Sequence, residues 1–351
     1  MAGKRLFALS AIPDKDHQEL FHPKKTGMSR IPTTDLYFLN SCGHKVGGWF
    51  RRRPIRWLGR NSFVTGNTRL LIRRDADAIM DAMVKQEGRL VYLVDDDIEG
   101  AAASGSLPPD YRRRLMDFHE RHHRALTRRA DTLVVTSAVL RDLFAWHRDV
   151  RLVHPVWHLP MADASHFNDI EHGASIHAVH LGSGSHSDGI TFLRPVLQEL
   201  LERQKRLHFT YVSAAGLLGA LDRHPRVKRM APRSWKSYSR WIKTQRFHIG
   251  LYPLPNTPFH RARSHNKLLE YGAVGAVGAY SSHWQPAHAL RGGAILCGPE
   301  QRLWTDTLSD VLACPTDLAE MVTIARKALE KLNDPADQRR FWSSVLEVDC
   351  S

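Results

Sequence analysis

The sequence predicts an α/β protein of two domains, each a parallel sheet covered by helices. Three observations predict it. Short apolar runs bounded by polar residues alternate with helical patterns along the 351 residues, as in parallel sheets covered by helices. The series breaks near 155–175, where Pro155, Pro160 and the polar stretch MADASHFNDIEHGAS intervene, and then restarts. The composition, 42% hydrophobic and 25% charged, is globular, and the length suffices for two cores. The expected domains are 1–165 and 166–351.

Along the chain, residues 34–40 (TDLYFLN) read as a strand and 43–62 as a basic, aromatic loop or broken helix. Apolar runs predict strands at 68–73 and 89–94, with a helix over 75–86 between them. One helix covers 109–130, followed by the strand Thr132–Thr136. The second series starts with the strand IHAVHL (176–181) and a helix near 190–204. Strands at 207–213 and 247–252 follow, then a helix at 265–273 and the strand-like VGAYSS. No internal repeat or low-complexity segment is visible.

Composition narrows the function classes. The formal charge of +14 favours anionic partners: nucleotide sugars, anionic lipid headgroups or nucleic acid. Four dispersed cysteines without a CxxC suit free thiols in a reducing cytoplasm rather than a disulfide framework. The N-terminal apolar run is too short for a secretory signal, and no stretch predicts a membrane span. The expected location is therefore cytoplasmic, or peripheral at a membrane.

The densest cluster of chemistry lies at 259–282, FHRARSHNKLLEYGAVGAVGAYSS. Arg261 and Arg263 precede a short helix in which Lys267 and Glu270, three apart, share a face. Ser264 is a candidate N-cap. Cations at a helix start suit a diphosphate, and a carboxylate suits the two ribose hydroxyls. Gly182, in the turn LGSGSHSDG, lets backbone approach a phosphate closely.

The 259–282 segment resembles the donor site of GT-B glycosyltransferases, in particular the family-4-like (group 1) bacterial branch. That pattern reads F-x-x-[AC]-[KR]-S-x-x-K-x-x-E-Y-x-A-x-G. Phe259, Ala262, Arg263, Ser264, Lys267, Glu270, Tyr271, Ala273 and Gly275 fit it. A second family segment, L-G-[ST]-x-[ST]-H, is matched by Gly182, Ser185 and His186. The resemblance, spread more weakly over 68–330, implies the GT-B fold, two Rossmann-like domains facing a central cleft, and transfer of a sugar from a nucleoside-diphosphate sugar to an acceptor hydroxyl. It implies retention of configuration, no cofactor beyond the donor, and a role in surface polysaccharide or glycoconjugate biosynthesis.

In that reading Arg263 and Lys267 stabilise the leaving diphosphate, and Gly182, Ser183, Ser185, Ser264 and Glu270 hold the donor. If the enzyme inverts, a base is needed, and His186 or a first-domain carboxylate could serve. Residues 227–254 should line the nucleobase side, where Trp235 or Tyr238 could stack, although helical aromatics are more often core. The chain departs from the family at three places. Ala262 replaces the earlier of two glutamates with seven intervening residues, Gly189 stands where an aspartate is common, and His248 replaces another aspartate. These departures leave a second reading open: a non-catalytic module of the same fold that binds an anionic partner.

Asp95, Asp96 and Asp97 follow a strand, and three adjacent carboxylates need compensation. A divalent cation is one way to supply it. An acceptor-side role for Asp96 and Asp97, without metal, is preferred. His119 to His123 matches H-E-x-x-H, but its very basic surroundings disfavour zinc. Trp49, Phe50, Arg51–Arg53, Arg56, Trp57 and Arg60 could touch an anionic membrane carrying a lipid-linked acceptor. No nucleic-acid motif accompanies them, so the expected partners are a nucleotide sugar and a glycan or lipid-linked acceptor.

Overall fold

The structure is a computed structural model that describes residues 31–47, 53–105, 107–182 and 186–350. The first sheet follows chain order: β1 (Val46–Gly47), β2 (Ile55–Trp57), β3 (Ser62–Thr65), β4 (Thr68–Ile72), β5 (Arg89–Val94), β6 (Thr132–Val135) and β7 (Val150–Leu152). Strands β4 to β7 are parallel, and β3 runs antiparallel to both its neighbours. The second sheet contains β8 (Ile176–His180), β9 (Leu207–Val212), β10 (Val227–Met230), β11 (Ile249–Tyr252), β12 (Val277–Ser281) and β13 (Ala294–Cys297). It is wholly parallel, in the order β10-β9-β8-β11-β12-β13. That 3-2-1-4-5-6 order is the doubly wound arrangement, with its ligand crevice beyond the carboxyl ends of the strands.

Alternate residues of the first sheet face opposite ways, as strand geometry requires. Leu71, Tyr92, Val94, Leu133 and Val135 pack with Met80, Phe118 and Leu140 from the crossover helices. Leu70, Ile72, Val91, Leu93 and Val134 pack on the other face with Phe38 and Trp342. Successive right-handed crossovers in one direction place every helix on one side. The other face must therefore be covered from outside the series.

Two segments cover it, and both differ from the sequence expectation. Residues 32–42 are helical rather than a strand, with a π-helical centre at Asp35–Leu39. Leu36, Tyr37 and Phe38 are consecutive and all buried, which a strand with one wet face cannot achieve. The last helix, Pro335–Leu346, was expected to belong to 166–351, yet it returns to the first half. Trp342 Nε1 donates to Tyr37 O at 2.6 Å, and Gln338 Nε2 to Leu36 O at 3.0 Å and His154 O at 2.7 Å. At its end the thiols of Cys42 and Cys350 meet.

The basic stretch 43–62 is also not a loop throughout. It contributes β1 and β2, and Arg56 pairs antiparallel with Val64 of β3. Ile55 and Phe63 are buried beneath its cations, so the strand signal is one-sided and short. Trp49, Phe50, Arg51 and Arg52 lie outside the described residues. Among the described residues, no helix is long and apolar enough to cross a membrane.

Candidate active site

The carboxyl end of β11 leads into a tight Pro-containing turn and the helix Pro258–Arg261. Thr257 caps that helix, accepting from His260 N through its hydroxyl, and Pro258 occupies its first turn. The next helix, Asn266–Ala273, follows within a few residues. On it, Lys267 and Glu270 form an ion pair, as their spacing predicts. Glu270 is 8% exposed and also accepts the hydroxyl of Tyr238. Burial and then the neighbouring Glu270 push the Tyr238 phenol well up, so it stays a donor.

Arg263 lies between the two helices. Its guanidinium stands over the Phe259 ring at 4.4 Å, and Nη1 donates to Asp96 Oδ1 at 3.1 Å. Its backbone carbonyl accepts Trp284 Nε1 at 3.1 Å. Nε and Nη2 are buried with no hydrogen-bond partner. Two donors on one edge of a planar fork match two oxygens of a phosphate.

Opposite, β8 ends at His180 and the helix Ser187–Arg203 begins after His186. Gly182 is required here: a Cβ would come within 2.7 Å of His180 Cε1 and 2.9 Å of His186 Cβ. A Cβ on Gly189 would lie 2.8 Å from Pro253 O, so the family's aspartate has no room. Burial, then Arg263 and Lys267, hold the His186 imidazole well below its usual range. His180 is fully buried, both its ring nitrogens lack partners, and burial followed by Lys267 lowers it to about 3. Both rings are neutral near pH 7. Gly182, His186, Arg263, Lys267 and Glu270 thus converge, while Ser183 and Ser185 lie outside the described residues.

Several expected roles are corrected. His265, not Ser264, is the cap position of helix 266–273, and it makes no side-chain cap bond. Beside it, the Tyr37 hydroxyl donates to Asn266 Oδ1 at 2.9 Å. Asp97, expected on the acceptor side, is engaged by its own helix: its Oδ1 accepts Gly100 N at 2.8 Å and caps helix Ile98–Ala103. Asp96 is held by two guanidiniums, Arg263 and Arg73, the latter at 3.2 Å. Asp95 accepts Thr33 Oγ1 at 2.5 Å and Arg73 Nη1 at 3.0 Å. Two arginines and a helix start therefore compensate the carboxylates.

Trp235 and Tyr238 do not stack on an open base site. Trp235 Nε1 donates to Asp35 Oδ2 at 2.7 Å, and Tyr238 serves Glu270. Ala262 is 1% exposed in the core of the first half, and its carbonyl accepts Ser137 Oγ at 2.7 Å, so a glutamate there would be buried. His248 is structural, with Nδ1 accepting His177 N at 2.8 Å. In the H-E-x-x-H match, the helix adopts a π-turn at His119–His123. His123 Nδ1 bonds Tyr92 Oη at 2.9 Å, and His122 lies between Asp77 and Asp81. Sequence reasoning missed Arg73 and His180, because each matters only through a neighbour remote in sequence.

A cavity of about 390 Å³ opens at the carboxyl end of β10, lined by Lys228, Met230, Arg233, Trp241 and Gln245. A larger one, about 560 Å³, lies at the starts of β5 and β6 near Asn67, Arg89 and Arg148. That is the wrong end of a parallel sheet for a ligand. Three contacts already described close the two halves over the cluster: Arg263 to Asp96, Ser137 to Ala262 and Tyr37 to Asn266.

No protein-family model matches the chain, and no curated protein does. Solved structures do. An α,α-trehalose-phosphate synthase (UDP-forming) from Burkholderia vietnamiensis is similar over 79% of this chain and 73% of its own, at 12% identity and TM-score 0.50. Anabaena HepE, in complex with UDP and glucose, is similar over 79% and 77%, at 12% identity and TM-score 0.55. S. aureus TarM, in complex with UDP among other ligands, covers 79% of this chain but 55% of its own, at 8% identity and TM-score 0.55. The fold is that of the GT-B glycosyltransferases: α/β, with two Rossmann-like halves.

Proposed function

We propose that the protein is a glycosyltransferase that moves a sugar from a nucleoside-diphosphate sugar to an acceptor hydroxyl. One observation carries this: Arg263 holds two buried, unpartnered donors beside the Lys267–Glu270 pair, at the carboxyl edge of a doubly wound sheet. Arg263 and Lys267 would bind the diphosphate and stabilise its charge as the anomeric C–O bond breaks. Glu270, fixed by Tyr238, would take the ribose hydroxyls, and the cavity beside Trp241 would take the base. The first half would supply the acceptor surface.

Retention is the favoured outcome. His186 is the nearest candidate base, and its depressed pKa makes it a weak proton acceptor. In retention the departing phosphate accepts the acceptor proton, and no protein base is needed. No cofactor beyond the donor enters this chemistry. Action at the cytoplasmic face of a membrane, on a glycan or lipid-linked acceptor of a surface polymer, suits the basic charge.

The test is titration of nucleoside diphosphates, beginning with UDP, which HepE and TarM carry. Binding in the range of about micromolar to millimolar is expected. Lys267→Ala and Glu270→Ala should each weaken it about tenfold or more. Equal affinity in all three proteins removes these residues from the site. A binding module without catalysis is the second reading, favoured by the buried Ala262 in place of a glutamate. Release of nucleoside diphosphate from donor separates the two.

A further inference from the structure

We infer that Asp96 is a positioning residue for Arg263: a carboxylate from the first half that sets the guanidinium so its free edge faces the donor diphosphate. This rests on the proposed diphosphate site and adds a residue to it. The pair spans 167 positions of sequence and joins the turn after β5 to the link between helices Pro258–Arg261 and Asn266–Ala273. Both side chains are nearly closed to solvent, at 12% for Arg263 and 9% for Asp96.

The geometry divides the guanidinium cleanly. Asp96 takes Nη1, while Nε and Nη2 have no hydrogen-bond partner. A bidentate phosphate uses one edge of the fork, and Nε with Nη2 is such an edge. Asp96 and a phosphate can therefore bind Arg263 together instead of competing for it. Asp96 is itself held. Its Oδ1 meets Arg263 and its Oδ2 meets Arg73 Nη2 at 3.2 Å. Asp95 and Thr33 anchor Arg73 and Asp95 in turn. On the far side, Phe259 supports the guanidinium face. Rotation of Arg263 is thereby fixed from both halves, so the donor site is complete only when they are closed.

Inorganic pyrophosphate is the probe, because its binding is independent of base and sugar. Titration calorimetry would compare wild type with Asp96→Ala, Asp96→Asn, Asp96→Glu and Arg263→Ala. Asparagine keeps an acceptor oxygen in place without charge, and its affinity should stay within about threefold of wild type. Glutamate keeps the charge but displaces it by a methylene, and alanine removes it; both should weaken binding about tenfold. Binding by Asp96→Ala or Asp96→Glu as tight as wild type overturns the inference, as does an Asp96→Asn loss equal to that of alanine. If Asp96→Ala does not fold, the asparagine and glutamate variants decide it alone. Wild-type affinity in Arg263→Ala is a different failure: it removes the diphosphate site itself.

Discussion

Asp96 and Asp97 are adjacent, yet one reaches across the molecule and the other caps its own helix. The local role was within reach of sequence, because an aspartate three residues before Gly100 is a capping pattern. The distant one was not, because Arg263 lies 167 residues away. Asp97→Ala should therefore cost about 1 kcal/mol in urea unfolding while pyrophosphate affinity stays at the wild-type value. A loss of affinity in that variant would return Asp97 to the binding site. The histidines give a pH prediction. His123 and His180 are lowered to about 3, and His248, His260 and His265 to about 4, with burial the largest cause in each. Below about pH 6.5 the unfolded chain takes up protons that these folded rings refuse. Stability then falls by up to about 1.4 kcal/mol per pH unit for each ring. Asp95 and Asp97, raised mainly by burial, act in the opposite sense, but five rings against two carboxyls set the direction. The urea midpoint should drop between pH 7.5 and 5; a constant or rising midpoint contradicts this.

At the scale of elements, legibility followed burial on one or two faces. Strands β4, β5 and β6 are covered on both sides, so each reads as a continuous apolar run. Strands β2 and β3 are short and only partly buried, and Arg56 interrupts the apolar run of β2. Helix 32–42 was read as a strand because apolar residues bury against two neighbours and erase the helical period. Helix 187–203 was legible, but the reason for Gly189 was not. Its hydrogen points at the Pro253 carbonyl, where a methyl would be 2.8 Å away. Gly189→Ala should destabilise by about 1–3 kcal/mol through overpacking. Thermal or urea unfolding at wild-type values would mean that the turn after β11 yields.

Across the whole molecule, one apolar cluster runs from Phe38 and Trp342 through Trp157, Leu159 and Met161 to Tyr252 and Tyr280. The halves are thus joined by a shared core as well as by polar contacts. The C-terminal helix fastens this arrangement through Trp342, which is fully buried against Phe38. Trp342→Ala should cost about 3–5 kcal/mol, with the first half losing its protected amides first in hydrogen exchange. Uniform loss, or loss confined to the second half, would place that helix with the 166–351 unit after all.

Sequence alone determined the parallel α/β series, the break near 155–175, and the Lys267–Glu270 pair. These rest on interactions within a turn, a strand period or a short composition window, where neighbours in sequence are neighbours in space. The tertiary structure alone decided that Asp96 holds Arg263, that Gly189 has no room for a side chain, and that the last helix covers the first sheet. Those depend on groups brought together from far along the chain, and no local pattern encodes which distant partner burial will supply.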